Sequence, residues 1–206
     1  MARNIFDATE ELISRLLPLI DLPLFDDSKR LEVSNVACSM CFEHWEAALH
    51  LLRAGLLPSA AVVHRAQFEV LLRSVWALYA ASDEHLSKLS AELTSESEQS
   101  AKNLPQVADM MSAIQKKGPP QAFDALSRFK ENSWKALNSY AHAGIHPLKR
   151  HAEGYQIQLL ESVAKNANGL AVVAAMQSAV LSGVQPLQRE ILSLASQYPD
   201  CMPPPL

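Results

Sequence analysis

Apolar residues recur at intervals of three and four along nearly the whole chain, and no stretch shows the sustained alternation of a half-buried strand. The spacing predicts an all-helical protein of about six to eight helices. The first runs from Thr9 to Leu17 and is stopped by Pro18, a residue without the N–H that a helix interior needs. The second, Lys29 to Arg53, starts behind Asp27 or Ser28 as N-cap and ends at Gly55. Its predicted inward stripe is Val33, Ala37, Met40, Cys41, His44, Ala48, Leu51 and Leu52. The third, Pro58 to Ala81, is apolar almost all round, which marks it as the central helix.

From Ser82 the pattern turns polar and predicts an exposed helix fraying near Asn103. A short helix follows over Gln106 to Ile114, and "KKGPPQ" then breaks the chain. Gln121 to His142 reads as one helix with Phe123, Leu126, Phe129, Leu137 and Tyr140 inward, Tyr155 to Leu181 as a long helix rich in small residues, and Pro186 to Ser196 as the last. Neither half has a core of its own, so residues 1–198 read as one domain, and the Pro-rich end, 199–206, as a disordered tail.

With 206 residues the chain can bury a full core, and 49% hydrophobic with 19% charged residues excludes a disordered or fibrous protein. A net charge of -4 offers no broad electrostatic footprint for nucleic acid, so binding of that kind would need a local basic patch. The start meets acidic residues before any apolar run, and the longest apolar stretch, Gly169 to Gly183, falls short of the roughly 20 residues of a membrane span. The expectation is a soluble, cytoplasmic protein with no membrane association. Cys38, Cys41 and Cys201 form no disulfide framework and read as buried structural thiols. No metal or cofactor motif is present: the chain lacks paired Glu-x-x-His segments, a Gly-rich phosphate loop and H-E-x-x-H.

Two polar sets stand out. On the central helix Arg65, Glu69 and Arg73 follow at intervals of four and share one stripe beside Trp76. Two guanidiniums against one carboxylate leave a surplus positive charge, which calls for a further carboxylate, a partner chain or a bound anion. The second set is "NSYAHAGIHPLKRH": Asn138 and His142 lie one turn apart, Gly144 would let the chain leave the helix through a left-handed conformation, and His146, Lys149, Arg150 and His151 form a basic segment. A structural network holding helices in register and a ligand site both fit the first set. His146 and His151 read as solvent-exposed loop residues, and His44 as a core histidine.

The pair "RAQFEVLLRSVWALY" and "LNSYAHAGIHPLKR" resembles an uncharacterised prokaryotic branch of the HEPN-like helical families, over about Leu31 to Ser182. The resemblance implies an antiparallel helical bundle, commonly a homodimer, whose active members are metal-independent ribonucleases or nucleotidylated toxins of defence and toxin-antitoxin systems. His142 matches the family histidine at the helix end. The family's arginine just before that histidine has no counterpart, since residues 134–137 hold Lys135 and no Arg. Cleavage would therefore use His142 as base with Arg65 and Glu69 from the central helix, and Arg73, Asn138, His146, Lys149 and Arg150 would hold an anionic or nucleotide-like ligand, RNA included. The alternative is a non-catalytic helical dimerisation or interaction module built on a structural polar network.

Overall fold

In the computed structural model, which describes residues 4–204, the chain forms ten helices and, among the described residues, no strand. They are α1 (Ile5–Ile20), α2 (Lys29–Arg53), α3 (Leu57–Tyr79), α4 (Asp83–Leu89), α5 (Ser95–Ala101), α6 (Val107–Lys117), α7 (Pro120–Ala141), α8 (Ile145–Glu153), α9 (Ile157–Leu181) and α10 (Leu187–Ser196). The count exceeds the expected six to eight because the polar segment after α3 divides into α4 and α5, and because the basic segment expected as loop forms α8. Neither α5 nor α8 buries a residue, so neither carries the apolar stripe that marks a helix in sequence.

Pro18 does not stop α1. It lies inside the helix, where the missing N–H removes one bond near the end, and the last turn is held by Leu16, Leu19 and Ile20 packing into the core. At the end of α2 the expected glycine stop is present: Gly55 has φ 73°, its N–H donates to Leu52 O, and the Leu56 N–H donates to Leu51 O at 2.8 Å.

The central position of α3 follows from its all-round apolarity, and it packs against α2, α6, α7 and α9. Two buried clusters result. One joins α1, α10, the C-terminal half of α2, the start of α3 and α9; the other joins the first half of α2, most of α3, α4, α6, α7 and α9. Three helices, α2, α3 and α9, are common to both, so neither cluster is a core by itself.

The buried face of α2 is turned from the predicted stripe. Ser34, Ala37, Cys38, Cys41, Trp45, Ala48, Leu49 and Leu52 are buried, whereas Val33, His44 and Leu51 are half-buried and Met40 is exposed. The rotation is set by polar groups that find partners inside. Ser34 Oγ donates to Ser74 O at 2.9 Å, Ser74 Oγ donates back to Ser34 O at 2.8 Å, and Gln177 Nε2 donates to Ser34 Oγ, joining α2, α3 and α9. Trp45 Nε1 donates to Asn168 Oδ1 at 2.8 Å, while Asn168 Nδ2 donates to Thr9 Oγ1 and Cys201 O.

That last bond also corrects the expectation of a free tail. Tyr198 and Cys201 are buried, and Pro203 lies against Gly169 of α9, where a Cβ would approach its ring to 3.0 Å. Residues 199–204 are therefore part of the packed structure, and the remainder of the expected tail lies outside the described residues.

Candidate functional site

On α3 the i, i+4 spacing does align Arg65, Glu69 and Arg73, but the three are not equivalent. Arg65 Nη2 lies 2.9 Å from Glu69 Oε1, and its guanidinium sits over the Trp134 ring of α7, 5.0 Å from the centroid. Glu69 is thus engaged by the earlier arginine. Arg73 lies over its own neighbour Trp76 at 5.6 Å and makes no ion pair within bonding distance. Its Nη1 is buried without a hydrogen-bond acceptor. Burial pulls the Arg73 pKa below its ordinary value, and the charge of Glu69 offsets part of that. A guanidinium stays charged under such a shift, so the stripe carries one cation whose charge is only partly answered.

Arg73 and Glu69 open onto a groove of about 570 Å3 between α2, α3 and the end of α4. Its walls are Val33, Val36, Ala37 and Met40 from α2, Val70 from α3, and Leu89 and Ser90 from the end of α4, with Glu32 at the rim. Val36 and Met40 are 61% and 43% exposed, which leaves apolar surface at the mouth. An apolar-walled concavity of this size with few polar groups has the form of a small-molecule site. A groove of similar size between α1 and α10 carries two arginines: Arg15, whose Nη1 donates to both Gln197 Oε1 and Tyr198 OH at 3.0 Å, and Arg189, which is exposed.

The second polar set builds a corner between α7 and α8. His142 caps α7, with its N–H donating to Asn138 O at 3.1 Å and its side chain exposed. The left-handed residue is Ala143, φ 50°, and not the expected Gly144. Gly144 is needed for close approach instead: its N–H donates to Ser139 O at 2.7 Å, and a Cβ there would lie 2.5 Å from Ser139 Oγ. The same Ser139 Oγ accepts from the His146 N–H at 3.1 Å and starts α8. The basic segment read as loop is therefore helical. Lys149 reaches Glu153 at 3.5 Å, His151 Nδ1 lies 2.7 Å from Tyr155 OH, and the charge of Arg150 acts on Tyr140, whose pKa is raised by burial and held back by that cation.

The expected convergence of the two sets does not occur. Ser59 shares a groove with Tyr140, Arg65 meets Trp134, and Phe68 stacks on Phe129 at 4.8 Å, so α3 and α7 run antiparallel. At about 1.5 Å of rise per residue, His142 lies roughly 12 Å beyond Trp134 while Glu69 lies roughly 6 Å past Arg65 in the opposite direction. Among the described residues no hydrogen bond or ion pair links Asn138, His142, His146, Lys149 or Arg150 to Arg65, Glu69 or Arg73.

Sequence reasoning missed the apolar half of the groove. The signal was available: Val33, Val36 and Met40 follow at helical spacing beside the true core stripe of α2, and surplus apolar positions on one helix widen its face beyond what one core uses. It also passed over His64. This ring is fully buried on α3, with Nδ1 at 2.9 Å from Gln67 Oε1 and its edge against Phe129, and burial lowers its pKa to about 4. Cys38 and Cys41 are buried free thiols, pushed up by burial, Cys38 to about 11. Among the described residues no three His, Cys, Asp or Glu side chains gather where they could hold a metal ion, and no helix is long and apolar enough to cross a membrane.

Fold and geometry together define an all-helical bundle whose groove between α2, α3 and α4 combines apolar walls with an arginine that has no ion-pair partner among the described residues. Residues 38–204 match the model of a family of unknown function, DUF6988, and the chain belongs to that family. The match spans Met40, Glu69 and Arg73 of the groove and the whole α7–α8 corner. No curated protein and no solved structure matches the chain.

Proposed function

We propose that the protein binds a small amphipathic anion in the groove between α2, α3 and α4, with Arg73 holding the charged group and the α2 valines and Met40 taking the apolar part. The observation that carries this reading is that Arg73 lines the groove and has no ion-pair partner there among the described residues, while Glu69 beside it is taken by Arg65. A hydrogen bond to a charged group contributes about 1.5–3 kcal/mol, so an anion there would gain roughly ten- to a hundredfold in affinity from Arg73.

The HEPN-like resemblance belongs to the same proposal in its coarser form, an all-helical bundle with an arginine site for an anion, in a homodimer and with RNA among the ligands it implies. Cleavage is less well supported, since general-base catalysis wants His142 within hydrogen-bond reach of the group it deprotonates and close to the cation. Binding alone needs no such neighbour.

The test is calorimetric titration of the purified protein with sodium octanoate and octyl phosphate, beside Arg73→Ala and Arg73→Lys variants checked by circular dichroism. Binding that falls at least tenfold in Arg73→Ala and is partly retained by Arg73→Lys supports the proposal. Failure of both probes to bind the parent, or equal binding by Arg73→Ala, overturns it. Sedimentation of the parent shows whether a second copy covers the groove instead. RNA cleavage by the parent in EDTA, lost in folded His142→Ala, would restore the ribonuclease implied by the resemblance.

A further inference from the structure

We infer that Glu69 makes this groove a filter for charge, admitting monoanions with an apolar tail, carboxylates in the first place, and rejecting dianionic phosphate groups. The inference rests on the anion site proposed above and adds its ligand class. Three observations support it. Among the described residues Arg73 is the only guanidinium lining the groove, because Arg65 is turned to Trp134 and spends its Nη2 on Glu69. Glu69 and Glu32 line the same groove, so the wall around the cation already carries carboxylates. Glu69 is close enough to Arg73 to act on its charge without bonding to it.

One negative charge on a ligand at Arg73 completes the pairing that the protein leaves unfinished. A second charge has no further cation to meet and faces Glu69 instead. Like charges a few ångströms apart at a half-buried surface cost enough to change affinity by about tenfold. Phosphate sites ordinarily avoid this by gathering several donors, such as a helix N-terminus or an Arg cluster, and none lines this groove. The walls supply the remaining selectivity, because Val36, Met40 and Val70 offer apolar contact to a hydrocarbon tail. Each methylene buried there should strengthen binding about three- to fourfold.

The test compares hexanoate, octanoate and decanoate with octyl phosphate, below their micellar concentrations, at pH 7.5 and 5.5, on the parent protein and Glu69→Gln. The amide oxygen of glutamine can still accept from Arg65, so the stripe keeps its geometry while losing its charge. The expected result is octanoate tighter than octyl phosphate by about tenfold at pH 7.5, and tighter binding of the phosphate at pH 5.5, where the phosphate monoester dianion takes up a proton and becomes a monoanion. In Glu69→Gln the preference for the carboxylate should collapse. The carboxylate series should gain about three- to fourfold per methylene.

Octyl phosphate that binds as tightly as octanoate at pH 7.5, or a ratio unchanged in Glu69→Gln, overturns the charge filter while the anion site at Arg73 stands. A flat carboxylate series removes the apolar tail from the ligand class. No binding by any probe overturns the filter and the site together.

Discussion

Trp45 and Asn168 are joined at the centre of the fold by a 2.8 Å bond from the indole N–H to the amide oxygen. Asn168 then uses its own N–H groups on Thr9 and on the carbonyl of Cys201, so one buried amide connects α1, α2, α9 and the C-terminal segment. Replacement by alanine leaves the buried indole donor without its acceptor, worth about 1–3 kcal/mol, and also removes the bonds to Thr9 and to the Cys201 carbonyl. Asn168→Ala should lower stability by about 3 kcal/mol or more. Thr9→Val, which removes the acceptor for Asn168 and the hydroxyl bond to the Ile5 carbonyl, should cost less. Urea denaturation of both variants checks the order, and equal costs would show that the amide is not the hub.

His64 predicts a pH dependence. Its folded pKa of about 4 lies below the ordinary 6.5, so between those values the unfolded chain binds a proton that the folded protein refuses. The contribution is fully present above pH 6.5 and is lost as pH falls toward 4. At 1.36 kcal/mol per unit the full difference is about 3 kcal/mol. Between pH 7.5 and 4.5 stability should fall by roughly 2–3 kcal/mol more in the parent than in His64→Leu. Parallel losses in the two proteins would place the acid sensitivity elsewhere.

The α7–α8 corner should depend on Gly144. A methyl group at Gly144 meets Ser139 Oγ, which is the acceptor that starts α8 through the His146 N–H. Gly144→Ala is expected to cost about 1–3 kcal/mol, in the range of an overpacked site. Because α8 buries no residue, the loss should appear locally. Hydrogen exchange should quicken at residues 146–150 and leave α9 unchanged. Unchanged protection in α8 would mean that the corner is held by other contacts.

Much of the architecture was legible in the chain. Helical spacing alone marks α2, α3, α7, α9 and α10 to within a few residues, because each buries a stripe that no strand could present. The glycine stop after α2 and the central place of α3 follow from the same local rules. The alignment of Arg65, Glu69 and Arg73 is likewise a matter of 3.6 residues per turn.

Tertiary structure decided what those elements do. Sequence could not tell that α2 turns Ser34 and Trp45 inward and Met40 outward, since the choice depends on Ser74, Gln177 and Asn168, polar partners 40 to 143 residues away. Nor could it tell which arginine takes Glu69: the stripe is symmetric in spacing, and Trp134 of α7 favours Arg65 by stacking on it. The antiparallel pairing of α3 with α7 separates His142 from Glu69, a long-range relation that no local spacing encodes. Periodicity is a property of one helix and specifies which face it buries approximately; a site is made between helices, where the partner's side chains determine which charge stays unanswered.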